Sequence, residues 1–274
     1  MSYANDVIIF PFFVEIEYLK DHKKLCEKLD GNGYTLGPIT ADHWFVYVAD
    51  QTIRSNIEDL DNDRVLNIMM FDIDEEVGDI FYYDHYESKK DGDETKDEAI
   101  KRISFEQTKK AGIDALCPGA LFDPRAFEPC GYSMNAIQFN SYFTMHITPE
   151  EGSSYASFET NQKLASYTAL INNVVRTFKP KRFVMTLMAD EHGLKEIKGN
   201  NPLTDSCLGS KIVVPKKPSM VSDSSEKMII YKRTDTASIK VEDDCCCMMG
   251  NWTIQDPSKS STGYEERVRG MSFA

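Results

Sequence analysis

Short runs of apolar, β-branched and aromatic residues alternate with polar segments along the chain, and these runs predict β-strands. The strongest runs are residues 7–17, 43–49, 64–73 and 182–189. Their composition suits a pleated, half-buried surface. Further runs predict strands at residues 139–148, 155–160, 228–233, 237–242 and 246–254.

Helical periodicity marks the segments between the strands. In residues 18–29 and in residues 164–178, apolar side chains recur on one helical face, so both segments predict amphipathic helices. Gly31 and Gly33 follow the first of them and are expected to end it. Residues 97–111 predict a helix that ends at Gly112, and a short helix is predicted at residues 75–83. Prolines at positions 118, 124 and 129 exclude a regular helix in the stretch that follows Gly112.

This order of elements predicts an α+β fold, in which a mostly antiparallel β-sheet is covered by helices on one face. We expect residues 1–256 to form one domain that includes a long polar loop at residues 190–226. Residues 257–274 are expected to form a disordered tail.

Composition narrows the class of protein. The net charge of -13 at pH 7 argues against a nucleic-acid partner, because phosphate binding needs clustered lysine and arginine. The sequence has no run of about 18 apolar residues and no signal-peptide pattern, so we expect no membrane association and a cytoplasmic location.

The seven cysteines form an odd set without the spacing of a disulfide framework, which suits a reducing compartment. Three of them, Cys245, Cys246 and Cys247, are consecutive. Neighbouring residues of a strand point to opposite faces, so the three thiols are not expected to converge on a metal ion.

Three sequence motifs are the most specific indication of the family to which the chain is related. They are FEPCGYSMN at residues 127–135, HITPE at residues 146–150 and SYASFETN at residues 154–161. In order and spacing they resemble the eukaryotic S-adenosylmethionine decarboxylase family, and in particular its C-terminal half. Weaker similarity at DHWFVYVAD (residues 42–50) and YKRTD (residues 231–235) extends the resemblance over most of the chain.

The resemblance implies a fold and a chemistry. The family fold is a four-layer α/β/β/α sandwich, of which this chain would supply one half. The family decarboxylates S-adenosylmethionine in spermidine and spermine (polyamine) biosynthesis. Its cofactor is a pyruvoyl group, made by self-cleavage before an internal serine, whose carbonyl forms a Schiff base with the substrate and acts as an electron sink.

Four residues match the family's functional positions. Phe127 corresponds to an aromatic residue that stacks on the adenine ring, which suits a flat π-system. Glu150 corresponds to a carboxylate that accepts hydrogen bonds from the two ribose hydroxyls. Ser133 and His146 correspond to the pair that assists self-cleavage, in which the imidazole handles a proton.

Asp63 and Glu159 match a charged network that responds to putrescine in some relatives. Two other positions of that network differ, because Val65 stands where the family has a threonine and Asn67 where it has an acidic residue. Valine cannot hydrogen-bond and asparagine is neutral. The usual putrescine-responsive network is therefore altered in this chain.

The family's processing segment, Glu-Ser-Ser, does not occur in this sequence, and its single Glu-Ser pair is Glu87 and Ser88 in an acidic stretch. We therefore predict that this chain alone does not decarboxylate. A half sandwich would leave an apolar sheet face uncovered. We expect this face to be covered by a chain that supplies the missing N-terminal half, or by self-association.

Three functional hypotheses remain open from the sequence. The chain is part of an S-adenosylmethionine decarboxylase, or a catalytically inactive partner that regulates an active decarboxylase, or a nucleoside-binding module without a link to polyamines. Substitution of Phe127 and Glu150 separates them. Both changes should abolish decarboxylation in a reconstituted enzyme but leave the effect of a purely regulatory partner largely intact.

Overall fold

The structure is a computed structural model, and it describes residues 6–11, 32–37, 43–49, 64–89, 94–197, 211–215, 228–241 and 245–255. The strands in these ranges are β1 (Asp6–Pro11), β2 (Asn32–Leu36), β3 (Trp44–Ala49), β4 (Arg64–Phe71), β5 (Leu121–Ala126), β6 (Tyr132–Gln138), β7 (Ser141–Thr148), β8 (Tyr155–Thr160), β9 (Arg182–Asp190), β10 (Lys211–Pro215), β11 (Met228–Val241) and β12 (Cys245–Ile254). The α-helices are α1 (Glu75–Gly78), α2 (Lys96–Ala111), α3 (Thr168–Phe178) and α4 (Glu191–Glu196). Two 3-10 segments, Asp79–Phe81 and Asp84–Lys89, follow α1.

Nine strands form one sheet in the order β10-β11-β12-β9-β4-β8-β7-β6-β5. Each of the described strand pairings is antiparallel. The predicted α+β fold with a mostly antiparallel sheet is therefore confirmed.

Helices α2 and α3 cover one face of this sheet. The apolar stripe of α3, which includes Ile171, Val174 and Phe178, packs with sheet residues such as Leu66 and Phe158 in the main core. Burying side chains of this size contributes about 1.5–3 kcal/mol each relative to exposure. The hydrophobic effect therefore holds the helices on this face.

Polar side chains set the position of α2 on β5 and β6. The helix begins with a reciprocal capping box between Thr95 and Glu98. In its middle, the hydroxyl of Ser104 accepts a hydrogen bond from the backbone N–H of Ala126 at 2.8 Å, and Thr108 shares a 2.7 Å hydrogen bond with Tyr132. Helix α2 thereby supports the strands that carry the motif residues.

The other face of the nine-stranded sheet is partly covered by a second sheet of order β1-β3-β2. Leu36, Trp44 and Val46 of this small sheet pack against Met69 and Val184 of the large one, and the same cluster includes Met188, Val241, Cys247 and Met249. The prediction of an uncovered apolar face is therefore wrong for the described residues. The small sheet covers this apolar part of the face, and the rest of the face is mainly polar, as described below.

Several sequence predictions need correction. The segment 190–226 was predicted to be a loop, but it contains α4 and β10. Asp190 caps α4 by accepting a hydrogen bond from Gly193, and Glu196 of this helix forms an ion pair with the buried guanidinium of Arg64. Helix α3 begins at Thr168 rather than at residue 164.

The strand predictions were incomplete near the motifs and near the C-terminus. β5 and β6 were not predicted, and the predicted strand at residues 139–148 is β7 preceded by a turn at Phe139, whose φ is 53°. The runs at 228–233 and 237–242 belong to the single strand β11, whose register shifts between Arg233 and Asp235. The predicted helix at 18–29 and the predicted tail at 257–274 lie outside the described residues.

Candidate functional site

The motif residues lie on one polar region of the large sheet, on the side opposite to α2 and α3. We call this region the open face, because its side chains are exposed or half-buried. Strand alternation and cross-strand register place the following residues on it: Asp123, Arg125, Ser133, Asn135, Thr144, His146, Ser157 and Glu159. The neighbouring residues on each strand, such as Met134 and Met145, are buried in the core under the helices.

Ser133 and His146 form a hydrogen-bonded pair on the open face. Ser133 of β6 lies opposite His146 of β7, and its Oγ is 2.8 Å from His146 Nδ1. The two side chains meet because adjacent antiparallel strands bring directly opposed Cβ atoms to about 4.5–5.5 Å. The structure therefore joins two residues that the sequence analysis assigned to proton handling.

Phe127 lies at the end of the same face, in the loop between β5 and β6. Its backbone N–H donates to the carbonyl of Gly131 at 3.0 Å, and its side chain is 43% exposed. Gly131 has a φ of 113°, and a Cβ placed there would be 3.7 Å from the Cβ of Phe127. The glycine thus permits a tight loop that leaves an aromatic side chain accessible.

Glu150 lies at this same end, just beyond β7, where its carbonyl accepts a hydrogen bond from Ser153 at 3.2 Å. Its carboxylate is exposed and close enough to the Phe127 loop to affect Cys130. Partial burial, followed by the charges of Glu150 and Asp84, raises the pKa of the Cys130 thiol. Phe127 and Glu150 therefore flank the first residues of β6, next to the Ser133–His146 pair.

Glu159 belongs to a hydrogen-bonded network further along the open face. Its Oε2 accepts from Asn67 Nδ2 at 2.9 Å, and its Oε1 accepts from the hydroxyl of Tyr142 at 2.9 Å. Burial, and then the negative charge of Glu159, raise the pKa of Tyr142 above its ordinary value. Asp63, the other predicted member, lies outside the described residues.

Both oxygens of the Glu159 carboxylate accept hydrogen bonds from neutral side chains. Asn67 lies directly opposite Glu159 on β4, and its other side-chain atom, Oδ1, is buried without a hydrogen-bond partner among the described residues. The site thus keeps an acidic side chain but lacks the second one that the family pattern would place opposite it. The sequence analysis identified Glu159 and Asn67 but missed Tyr142.

Ser88, the serine of the single Glu-Ser pair, lies in the 3-10 segment Asp84–Lys89. Tyr86 of this segment is buried with Tyr83, Ile103 and Ala126 on the helix-covered side of the sheet. The segment is therefore on the opposite side from Ser133 and His146.

The consecutive cysteines alternate between the two sides of β12 as predicted. Cys247 is buried in the cluster between the two sheets and Cys245 packs against it, whereas Cys246 lies opposite Ala189 on the other side. Among the described residues, no group of three histidine, cysteine, aspartate or glutamate side chains is placed to hold a metal ion. In the same part of the chain, no helix is long and apolar enough to span a membrane.

The fold defines the structural class to which the chain belongs. The chain matches the crystal structure of the Trypanosoma brucei AdoMetDC-delta26 monomer with a TM-score of 0.60 and 20% sequence identity, over 91% of this chain and 85% of that chain. At this identity the likeness establishes a shared α+β fold.

Sequence comparison then identifies the family. A family model described as Adenosylmethionine decarboxylase matches residues 8–243, and the chain belongs to this family. The resemblance read from the three motifs is therefore confirmed.

The curated relatives are longer than the part that this chain matches. The S-adenosylmethionine decarboxylase proenzyme of Dictyostelium discoideum is 38% identical over 162 residues, which are 59% of this chain and 38% of that protein. The proenzyme of Drosophila melanogaster is 36% identical over 178 residues (60% and 46%), and that of Xenopus laevis is 39% identical over 163 residues (59% and 44%). The matched region thus spans less than half of each relative.

Proposed function

We propose that the chain is the nucleoside-binding part of a cytoplasmic S-adenosylmethionine decarboxylase of polyamine biosynthesis. It would release carbon dioxide only when another polypeptide segment supplies the pyruvoyl group. The observation that carries this proposal is the 2.8 Å hydrogen bond between Ser133 and His146, on a polar face that has Phe127 and Glu150 at its end.

Phe127 and Glu150 bind the nucleoside in this proposal. The accessible ring of Phe127 offers an apolar surface on which adenine can stack, and such stacking contributes about 1–3 kcal/mol per base. The carboxylate of Glu150 has two acceptor oxygens, which match the two adjacent hydroxyls of a ribose. Both residues lie in loops at the same end of the sheet, so one nucleoside can contact both side chains.

Ser133 and His146 handle a proton near the reacting centre. The ring nitrogen Nδ1 of His146 can accept the proton of the Ser133 hydroxyl, and the exposed ring can exchange it with an incoming group. A pyruvoyl group, when present, supplies the carbonyl that withdraws electrons as carbon dioxide leaves. The source of this group is expected in a polypeptide segment that contains the processing serine and covers the open face.

Putrescine is not expected to activate this enzyme through Glu159. Each oxygen of Glu159 accepts one hydrogen bond, from Asn67 and from Tyr142. Because Asn67 is neutral, a diamine would meet one carboxylate at this position instead of the two that the family pattern would provide, and its binding would be correspondingly weaker.

The test uses a reconstituted enzyme. The chain is co-expressed with the N-terminal half of a relative, and labelled carbon dioxide is measured from carboxyl-labelled S-adenosylmethionine. Phe127→Ala and Glu150→Gln should each lower kcat/KM by at least about tenfold, because each removes a contact to the nucleoside.

Phe105→Ala is the matched control, because Phe105 is a partly exposed aromatic residue on α2, on the other side of the sheet. This variant should retain full activity. If Phe127→Ala and Glu150→Gln also retain full activity in the complex, the nucleoside site is not in this chain, and the chain acts as a regulatory partner.

A further inference from the structure

An arginine outside the three motifs lies beside the Ser133–His146 pair. Arg125 of β5 is directly opposite Ser133 of β6, and both side chains are on the open face. Directly opposed residues of antiparallel strands have Cβ atoms about 4.5–5.5 Å apart, and a guanidinium can extend several ångströms beyond. Arg125, Ser133 and His146 therefore form one row across three strands.

Arg125 is exposed, and among the described residues it forms no ion pair or hydrogen bond. Other arginines are paired: Arg64 with Glu196, and Arg102 with Glu94 at 2.9 Å. An unpaired guanidinium on the face of a strongly acidic chain is available to an anionic ligand.

The acidic groups near Arg125 do not neutralise it. Asp123 lies two residues earlier on the same face, opposite Asn135, and makes no ion pair with Arg125 in the described residues. Glu128, three residues later, is held by Lys96 at 2.9 Å. The positive charge beside Ser133 thus remains unbalanced.

The short distance between Arg125 and Phe127 suits a nucleoside that carries an amino-acid chain. Phe127 follows β5 directly and lies two residues beyond Arg125, so the two Cα atoms are separated by at most about 7 Å. With adenine on Phe127 and ribose at Glu150, the amino-acid end would extend toward Ser133. S-Adenosylmethionine has one anionic group, its carboxylate, and this group would reach the row that contains Arg125.

We propose that Arg125 binds the carboxylate of S-adenosylmethionine, so that the open face prefers the carboxylated nucleoside to its decarboxylated product. This inference rests on the proposed function. A guanidinium and a carboxylate form two parallel charge-assisted hydrogen bonds, which a ligand without the carboxylate cannot make.

The ion pair has a consequence for turnover. It exists while the carboxylate is present and is lost as carbon dioxide leaves, so it stabilises the bound substrate more than the transition state. Arg125 therefore strengthens binding and slows decarboxylation. Its removal should raise KM and raise kcat in a reconstituted enzyme.

The test measures Kd of the purified chain for three nucleosides by titration calorimetry: S-adenosylmethionine, its decarboxylated form and methylthioadenosine. The unsubstituted chain should bind S-adenosylmethionine about tenfold more tightly than the decarboxylated form. In Arg125→Ala this ratio should fall to about one, and in Arg125→Lys it should be intermediate, since lysine keeps the charge but not the bidentate geometry.

Two controls separate the possible failures. Arg176→Ala removes an equal charge from an exposed position on α3, on the other side of the sheet, and should leave the ratio unchanged. Methylthioadenosine lacks the carboxylate and should bind equally well to the unsubstituted chain and to Arg125→Ala.

The outcomes are distinct. A ratio near one in the unsubstituted chain, or a tenfold ratio that persists in Arg125→Ala, overturns the role of Arg125 while leaving the nucleoside site intact. If methylthioadenosine does not bind the unsubstituted chain, the proposed nucleoside site is wrong, and the role of Arg125 is wrong with it.

Discussion

At the scale of single residues, the open face joins side chains that are far apart in the sequence. Ser133 and His146 belong to different motifs, yet strand register brings them within 2.8 Å. The motifs predict roles for these residues, but their contact could not be predicted, because β6 was not recognised as a strand. Arg125 was missed for a similar reason, since β5 was not recognised either. Tyr142 was missed although β7 was predicted, because its role depends on the neighbouring Glu159 of β8.

Because the hydrogen-bond donors around Glu159 are neutral, the variant Asn67→Asp provides a test of this network. This change places a second carboxylate directly opposite Glu159, and like charges at that distance destabilise the folded state. A diamine would relieve the repulsion. We therefore expect putrescine to raise the melting temperature of Asn67→Asp by several degrees and to leave that of the unsubstituted chain unchanged.

Thermal melts with increasing putrescine measure this effect. Asn173→Asp serves as the control, because it adds the same charge at an exposed position of α3, on the helix-covered side of the sheet and away from Glu159. A putrescine-dependent melting temperature in the unsubstituted chain would contradict the claim that Asn67 has removed the diamine response.

At the scale of elements, the hairpin of β5 and β6 holds Arg125, Phe127 and Ser133 and was the element least visible in the sequence. β5 contains Pro124, which cannot donate to a ladder, and it is the last strand of the sheet, where proline is tolerated. Long central strands such as β4 and β9 were predicted well because both of their faces are mostly buried and their sequences are correspondingly apolar.

The loop of this hairpin leads to a prediction for Gly131→Ala. A φ of 113° lies beyond the left-handed region that other residues visit, so the substitution should lower the free energy of unfolding by about 1–3 kcal/mol. The strained loop should also shift Phe127, so nucleoside binding should weaken together with stability.

Gly112→Ala is the matched comparison, because Gly112 ends α2 with a φ of 72°, close to the left-handed region. It should cost only about 1 kcal/mol and leave nucleoside binding unchanged. Urea unfolding measures both variants. Equal stability losses, or a Gly131→Ala chain that binds methylthioadenosine normally, would contradict this account of the loop.

At the scale of the whole molecule, the face of the large sheet that lies opposite the helices has an apolar region and a polar region. The small sheet covers the apolar region around Met69, Val184 and Met249, and the remaining region is the polar open face. The sequence predicted one uncovered apolar face because the packing of β2 and β3 on it depends on long-range contacts that local patterns do not reveal. A partner on the open face is therefore expected to bind through polar contacts more than through a large apolar interface.

The most direct test of the central claim incubates the purified chain with carboxyl-labelled S-adenosylmethionine in equilibrium dialysis and traps any labelled carbon dioxide. The account predicts that the chain retains label on its side of the membrane, that Phe127→Ala and Glu150→Gln lose this retention, and that no labelled carbon dioxide is released. Absence of retention by the unsubstituted chain would contradict the nucleoside site. Release of labelled carbon dioxide would contradict the requirement for a second segment, because the chain would then contain its own electron-withdrawing carbonyl.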